Sequence, residues 1–202
     1  MKFKNYNVEY YDDTHTYIVD GNIVPSVTGI LHYLYPNKYI NVNPEVLSAK
    51  ANYGTNVHEA IQYFNDHEDE FDYYKLIEEK GLQIATNVSR YKALKERYGF
   101  RITKQEQLVC NDRVAGRFDE LGFTKMNKKA LMDIKTTAML DKEYLSWQLS
   151  IYNYLNIEED KAEELYAIWM PKRGDPQFVQ IDFKSDRKIE NLINLYYKER
   201  VD

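Results

Sequence analysis

The 202-residue sequence contains a single cysteine, Cys110, and no long apolar run. One cysteine excludes an internal disulfide framework and a cysteine-ligated cluster. No stretch approaches the roughly 18 apolar residues that a membrane span requires. The opening segment MKFKNYNVEYYDD also lacks the apolar region of a signal peptide. We therefore expect a cytoplasmic protein without a membrane partner.

An excess of positive charge is also missing. The chain has 27 Lys and Arg against 32 Asp and Glu, which gives a net charge of −5. This balance argues against a surface coated with phosphate contacts, so any nucleic-acid site must be a local basic groove. The sequence has no repeats or linker-like stretches, and its length predicts one domain over residues 1–202.

Local signals predict an α/β chain. Two N-terminal strands are joined at Asp20-Gly21, and Ser26 and Asn43 can cap two helices that follow. Apolar spacing predicts further helices from residue 54 to about residue 99. The later segments predict a mixed sheet between layers of helices. These are three strands (TKQEQLVCND, RVAGRFDELGFT, KKALMDIKTT), a helix (KEYLSWQLSIYNYLN), two strands (ELYAIWMPK, FVQIDFK) and a helix (DRKIENLINLYYKER).

Two acidic residues are predicted to face each other across a hairpin. If the chain turns at Met126-Asn127, Asp119 and Asp133 are equidistant from the turn. Directly opposed side chains share a face of the sheet. Lys135 is two residues beyond Asp133, so it lies on that face as well. Two carboxylates and an ammonium group should therefore converge.

Facing carboxylates repel each other unless a cation lies between them. Their oxygen atoms suit Mg²⁺ or Mn²⁺. Lys135 would then position or deprotonate a metal-bound water, as phosphodiester hydrolysis requires. The alternative is a surface hairpin in which Lys135 only bridges two acids.

A third acid, Glu106, is predicted near the same face. With a turn at Asn111-Asp112, position 104 would oppose Asp119 and Glu106 would lie diagonally from it. Glu106 is then an accessory metal ligand or, alternatively, an exposed strand glutamate.

Four segments resemble the motifs of one family. GRFDELG followed by ALMDIKTT resembles the split signature of the PD-(D/E)xK nuclease superfamily. GTNVHEAI and QLSIYNYL resemble the Gly-x-x-x-His and Gln-x-x-x-Tyr motifs of its RecB-like branch. The resemblance covers residues 54 to about 171, which predicts a nuclease core at 54–171. An N-terminal hairpin and helices (1–53) precede that core, and a C-terminal strand and helix (172–202) follow it.

The resemblance implies a restriction-endonuclease-like three-layer fold and a role for each motif residue. Asp119, Asp133 and His58 would hold the metal, together with the carbonyl of Ile134, and Lys135 would orient the attacking water. The remaining two motif residues, which would position the nucleic-acid strand, are Gln148 and Tyr152.

The segment HTYIVDGNIVPSVTGIL resembles the leader of small phage-type nucleases. It implies a phage or prophage exonuclease that acts on DNA ends in recombination or repair. The implied partners are DNA and a single-strand annealing or recombination protein, and an oligomer is compatible with this function. The alternatives are a site-specific or structure-specific endonuclease, and a non-catalytic member that binds nucleic acid or interferes with a host protein.

Basic residues in two turns are predicted to bind phosphates. One cluster lies on the turn expected beside Asp133, and the other follows the last core strand. Charge on turns is also typical of a solvated surface. The residues are Lys125, Lys128 and Lys129 in the first turn, and Lys172 and Arg173 in the second.

Overall fold

The computed structural model describes residues 2–11 and 13–199. An N-terminal sheet precedes four helices, and a second sheet with two further helices completes the order. The elements are β1 (Lys2–Phe3), β2 (Tyr6–Tyr11), β3 (Thr16–Val19), β4 (Asn22–Val24), α1 (Val27–Leu34), α2 (Pro44–Asp66), α3 (Tyr73–Lys80), α4 (Leu82–Tyr98), β5 (Arg101–Cys110), β6 (Ala115–Phe123), β7 (Lys129–Lys135), α5 (Lys142–Leu155), β8 (Glu164–Trp169), β9 (Gln177–Ile181) and α6 (Asp186–Lys198).

The second sheet has the strand order β5-β6-β7-β8-β9. Strands β7 and β8 are parallel and the other neighbours are antiparallel, so the sheet is mixed. Helix α5 makes the crossover that a parallel pair needs. The predicted α/β class with a mixed, helix-flanked sheet is confirmed. The predicted final helix extends to Arg200, which lies outside the described residues.

Each face of this sheet is covered by its own helices. Leu131 of β7 belongs to a core with α1, α5 and α6, whereas its neighbours Ala130 and Met132 pack with α2 and α4. This alternation follows from the two-residue period of a strand. Within the described part of the chain, no helix combines the length and apolar character needed to cross a bilayer.

The N-terminal strands form a four-stranded antiparallel sheet in the order β1-β2-β3-β4. Its predicted turn at Asp20-Gly21 is confirmed, since both residues have positive φ angles, 48° and 81°. The sheet docks on the start of β6, where the backbone N–H of Ala115 donates to the carbonyl of Pro25 at 3.1 Å. Its buried side chains pack against Cys110 and Ala115. It therefore borders the second sheet.

Helix α2 is longer than the sequence motifs suggested. Asn43 caps it as predicted, accepting from the N–H of Glu45 at 2.8 Å, and Pro44 is its first residue. The predicted helix start at Gly54 is wrong, because the helix runs continuously through that residue. One glycine costs only about 1 kcal/mol relative to alanine, which is too little to end a packed helix. The division at 53/54 therefore falls inside α2.

Candidate active site

The hairpin of β6 and β7 has the predicted register. Its turn closes with the N–H of Thr124 donating to the carbonyl of Lys128 at 2.9 Å. Glu120 pairs with Met132, so Asp119 and Asp133 are the next residues along the two strands. The N–H of Ile134 donates to Asp119 Oδ2 at 2.7 Å. The backbone of β7 therefore fixes one oxygen of the Asp119 carboxylate.

Lys135 forms an ion pair with Asp133, with Nζ 2.5 Å from Oδ2. Asp133 is buried, and burial raises its pKa to about 6 although the charge of Lys135 opposes the increase. Burial also lowers the pKa of Lys135, but the charges of Asp133 and Asp119 outweigh it and leave that pKa above its ordinary value. Lys135 is therefore a cation at neutral pH.

Glu106 lies directly across from Asp119 rather than diagonally from it. Lys104 pairs with Leu121, so the prediction that position 104 opposes Asp119 is wrong by two residues. The connecting loop is longer than a two-residue turn, because the side chain of Asn111 accepts from the N–H groups of the two residues before Ala115, at 2.9 Å each. A register shift between Ile102 and Lys104 and a φ angle of 48° at Glu106 make β5 irregular here.

His58 reaches these acids from α2. Its Nδ1 lies 3.6 Å from Asp119 Oδ1 and 4.0 Å from Glu106 Oε1. Its Nε2 lies 3.0 Å from the carbonyl oxygen of Ile134. Helix α2 passes close to the end of β7 at Gly54, where an added Cβ would lie 3.9 Å from Thr136 Oγ1. One turn further along the helix, His58 is therefore placed over the hairpin.

The donor atoms of His58, Glu106 and Asp119 lie within 4.8 Å of one another. Burial and the charge of Asp119 raise the pKa of Glu106 to about 7, although Arg117 and His58 oppose the shift. A cation among these groups would offset the repulsion between the carboxylates. Carboxylate oxygens, a carbonyl and an imidazole form a donor set suited to Mg²⁺ or Mn²⁺. The residues present therefore fit a hard divalent ion.

Gln148 and Tyr152 lie one turn apart on α5 and are almost fully buried, with 7% and 5% of their surfaces exposed. Gln148 Nε2 donates to Tyr152 Oη at 3.4 Å, and Gln148 Oε1 has no hydrogen-bond partner among the described residues. Burial raises the pKa of Tyr152 well above its usual value, and the charges of Asp119 and Asp133 add to the increase. Both side chains are therefore buried rather than on an open surface, and Tyr152 is close enough to Asp119 and Asp133 for their charges to act on it.

The first predicted basic cluster lies far from the carboxylates. The turn that carries Lys125, Lys128 and Lys129 is at the opposite end of β7 from Asp133, about 13 Å away at the usual rise per residue. The prediction that it lies beside Asp133 is wrong. Lys128 pairs with Glu164 at 3.0 Å, and Lys129 donates to the carbonyl of residue 159.

The second basic cluster is closer to the site. Lys172 and Arg173 are exposed and follow β8, whose last residue, Trp169, pairs with Lys135. Lys172 and Arg173 therefore come just after the end of the sheet at which Lys135 lies.

One side chain of the site was not predicted. Arg117 is two residues before Asp119 on β6, so it shares the face of Asp119, and its Nε lies 2.9 Å from Glu106 Oε2. The two-residue spacing in GRFDELG is the signal that could have identified it.

Comparisons with known proteins do not assign this chain to a family. No family model matches it, and no curated protein matches it. Among solved structures, the crystal structure of SSO0001 is similar over 71% of each chain at 15% sequence identity, with a TM-score of 0.35. A likeness at that score carries no argument about this protein.

Proposed function

We propose that this protein is a divalent-metal-dependent nuclease of the PD-(D/E)xK superfamily with a restriction-endonuclease-like core, acting on DNA ends as a phage-type exonuclease. One observation carries the proposal. An imidazole, three carboxylates and an ammonium group meet at one end of the β6–β7 hairpin. The residues that meet there are His58, Glu106, Asp119, Asp133 and Lys135.

The site divides into a metal-holding part and a water-positioning part. Asp119, Asp133, His58 and the carbonyl of Ile134 would hold Mg²⁺ or Mn²⁺, with Glu106 as a further carboxylate. A bound ion supplies a Lewis acid, which lowers the pKa of water and stabilises the charge that develops on the phosphate.

Lys135 acts as a positive hydrogen-bond donor rather than as a base. Its pKa lies above the ordinary lysine value, so it keeps its proton at neutral pH. From its position against Asp133 it would hold the attacking water or a phosphate oxygen by a charge-assisted hydrogen bond. Gln148 and Tyr152 are buried beside this centre, which leaves little of their surface for contact with a nucleic-acid strand, so they would support the site from within the core.

The test compares end-labelled linear duplex, single-stranded and closed circular DNA with Mg²⁺, Mn²⁺ or EDTA. We expect metal-dependent loss of the linear substrates and survival of the circle. Lys135→Ala should lower the rate by about 100-fold or more, because it removes a preorganised donor from the reaction centre. Lys188→Ala, an exposed lysine on α6, is the matched control and should cleave as the wild type does.

The other outcomes assign the alternatives. Cutting of the circle would identify an endonuclease with the same centre. A folded protein that binds Mn²⁺ and cleaves none of the three substrates would contradict the proposal and favour a non-catalytic nucleic-acid-binding or host-interfering protein.

A further inference from the structure

A polar cavity of about 430 Å³ is lined mainly by residues of α2 and β5. Its volume lies within the range of sites that bind small molecules or single chemical groups. Four of its lining side chains are carboxamides, which carry both hydrogen-bond donors and acceptors. They are Gln62 and Asn65 of α2, and Gln105 and Gln107 of β5. The cavity therefore offers directional hydrogen bonds rather than an apolar surface.

The cavity adjoins the proposed metal site. On α2, Gln62 is one turn beyond His58, about 6 Å along the helix axis, and residues four apart share one face of a helix. On β5, Gln105 and Gln107 are the chain neighbours of Glu106. Both walls of the cavity are therefore continuous with the elements that supply His58 and Glu106 to the metal site.

Hydrogen bonds orient two of the carboxamides. Asn65 Nδ2 lies 2.8 Å from Gln105 Oε1 and 3.0 Å from Oε1 of the buried Glu120. The same nitrogen lies 2.9 Å from the hydroxyl of Tyr91. Gln105 Nε2 in turn donates to Asp66 Oδ1 at 3.1 Å. Because these polar groups are already oriented, less entropy is lost when they bind a ligand.

The two lysines that line the cavity are neutralised by acids. Lys95 Nζ lies 2.6 Å from Glu68 Oε2, and Lys104 Nζ lies 2.5 Å from Asp160 Oδ2. A phosphate group would have to compete with these ion pairs, so the cavity does not favour an anion. Its carboxamides instead match a neutral group that carries donors and acceptors along one edge. Asn and Gln side chains pair in this way with the edges of nucleobases.

We infer that this cavity holds one unpaired nucleobase of the substrate strand, next to the phosphodiester that is cleaved. The inference rests on the proposed nuclease function and narrows its substrate to a strand with an unpaired base at the site. Gln62 and Gln105 hydrogen-bond the base edge, and Glu120 keeps Asn65 in position behind them. A base in a duplex must leave its partner before its pairing edge is available.

The test measures binding without cleavage. Short fluorescein-labelled single strands, each with one abasic nucleotide at a different position, are titrated in Ca²⁺ by fluorescence anisotropy. We expect removal of the base at one position to weaken binding about tenfold, the size of one or two lost hydrogen bonds. Abasic nucleotides at the other positions should have little effect.

Two variants connect that position to the cavity. Gln62→Met and Gln105→Met keep the length of the side chain and remove its carboxamide, so each should weaken binding of the intact strand about threefold to tenfold. Neither should weaken binding of the strand that lacks the critical base, because that strand has already lost the interaction. The slope of log K against log salt should stay the same, since no charge is removed. Gln83→Met, at an exposed position on α4, is the matched control and should bind both strands as the wild type does.

The outcomes separate this inference from the nuclease. Equal effects of all abasic positions, or variants that bind the intact strand as tightly as the wild type, would overturn the inference while cleavage by the wild type stands. Binding of a free deoxynucleoside monophosphate without any abasic effect would also overturn it, since the cavity would then serve a free nucleotide. A base-dependent wild type that cleaves no DNA would overturn only the nuclease, and one that binds no DNA would overturn both.

Folding of the variants is checked by circular dichroism. If one glutamine variant does not fold, the other decides. If neither folds, the abasic series with the wild type decides, since a base-binding cavity requires one position to stand out from the rest.

Discussion

Glu120 gives the sharpest test of the electrostatics of this fold. It is adjacent to Asp119 on β6, and its carboxylate is buried against α2 and α4, with 1% of the residue exposed. Its Oε1 accepts from Tyr91 Oη at 2.8 Å and from Asn65 Nδ2 at 3.0 Å, while Oε2 has no hydrogen-bond partner among the described residues. Burial raises the pKa of Glu120 to about 8, although the hydrogen bond from Tyr91 opposes the increase.

The sign of the effect on stability follows from proton binding. An unfolded glutamate loses its proton near pH 4.5, whereas native Glu120 keeps it until about pH 8. The native state therefore binds one more proton across this interval, so its free energy of unfolding falls as pH rises. At 1.36 kcal/mol per pH unit, the loss is about 5 kcal/mol over the whole interval.

Glu120→Gln removes this dependence, because glutamine keeps the Oε1 acceptor and carries no titrating proton. Between acidic pH and about pH 9, we expect the free energy of unfolding of the variant to rise by about 5 kcal/mol relative to that of the wild type. The other acids are common to both proteins, so their contributions cancel in the comparison. The difference between the two curves therefore isolates the contribution of Glu120.

Urea unfolding followed by circular dichroism in EDTA measures both curves. Glu78→Gln makes the same chemical change at an exposed position on α3 and should give a curve parallel to that of the wild type. Parallel curves for Glu120→Gln and the wild type would refute the reasoning, since they would mean that Glu120 ionises in the native protein as it does in the unfolded chain.

Two further predictions concern the site itself. Gly116→Ala should lower the free energy of unfolding by about 1–3 kcal/mol, because its Cβ would lie 2.6 Å from Tyr152 Cε1 and 2.9 Å from Val27 Cγ2; an unchanged melting temperature would contradict this packing. The affinity for Mn²⁺, measured by calorimetry, should rise with pH up to about pH 7, because the pKa values of Asp133 and Glu106 are raised to about 6 and about 7 and the metal competes with their protons. Glu106→Gln should flatten the upper part of that rise, and an affinity independent of pH would count against these acids as ligands.

The part of the site that could be predicted from sequence depends on local geometry. The turn between β6 and β7 is short, so counting residues from Met126-Asn127 was enough to place Asp119 beside Asp133. The same count failed between β5 and β6, because the side chain of Asn111 stabilises a longer loop. Each residue added to the loop of a hairpin shifts the pairing register of the two strands that it joins, so every predicted cross-strand pair changes.

Other features depend on contacts between distant parts of the chain. The positive φ angle of Glu106 has no sequence signal, since glutamate seldom adopts it. The position of Arg117 depends on Tyr10, which is more than one hundred residues away in sequence. The continuity of α2 through Gly54 also comes from packing, because propensity alone makes glycine a weak position in a helix.

The irregularity of β5 has a consequence for aggregation. This strand is ten residues long and forms one edge of the second sheet, where a regular backbone could pair with a strand of another molecule. The register shift after Ile102 and the left-handed backbone conformation of Glu106 interrupt the regular spacing of hydrogen-bonding groups along that edge. Lys104 adds a charge to the same strand, where it forms an ion pair with Asp160. The distortion that directs Glu106 toward His58 therefore also protects the edge against self-association.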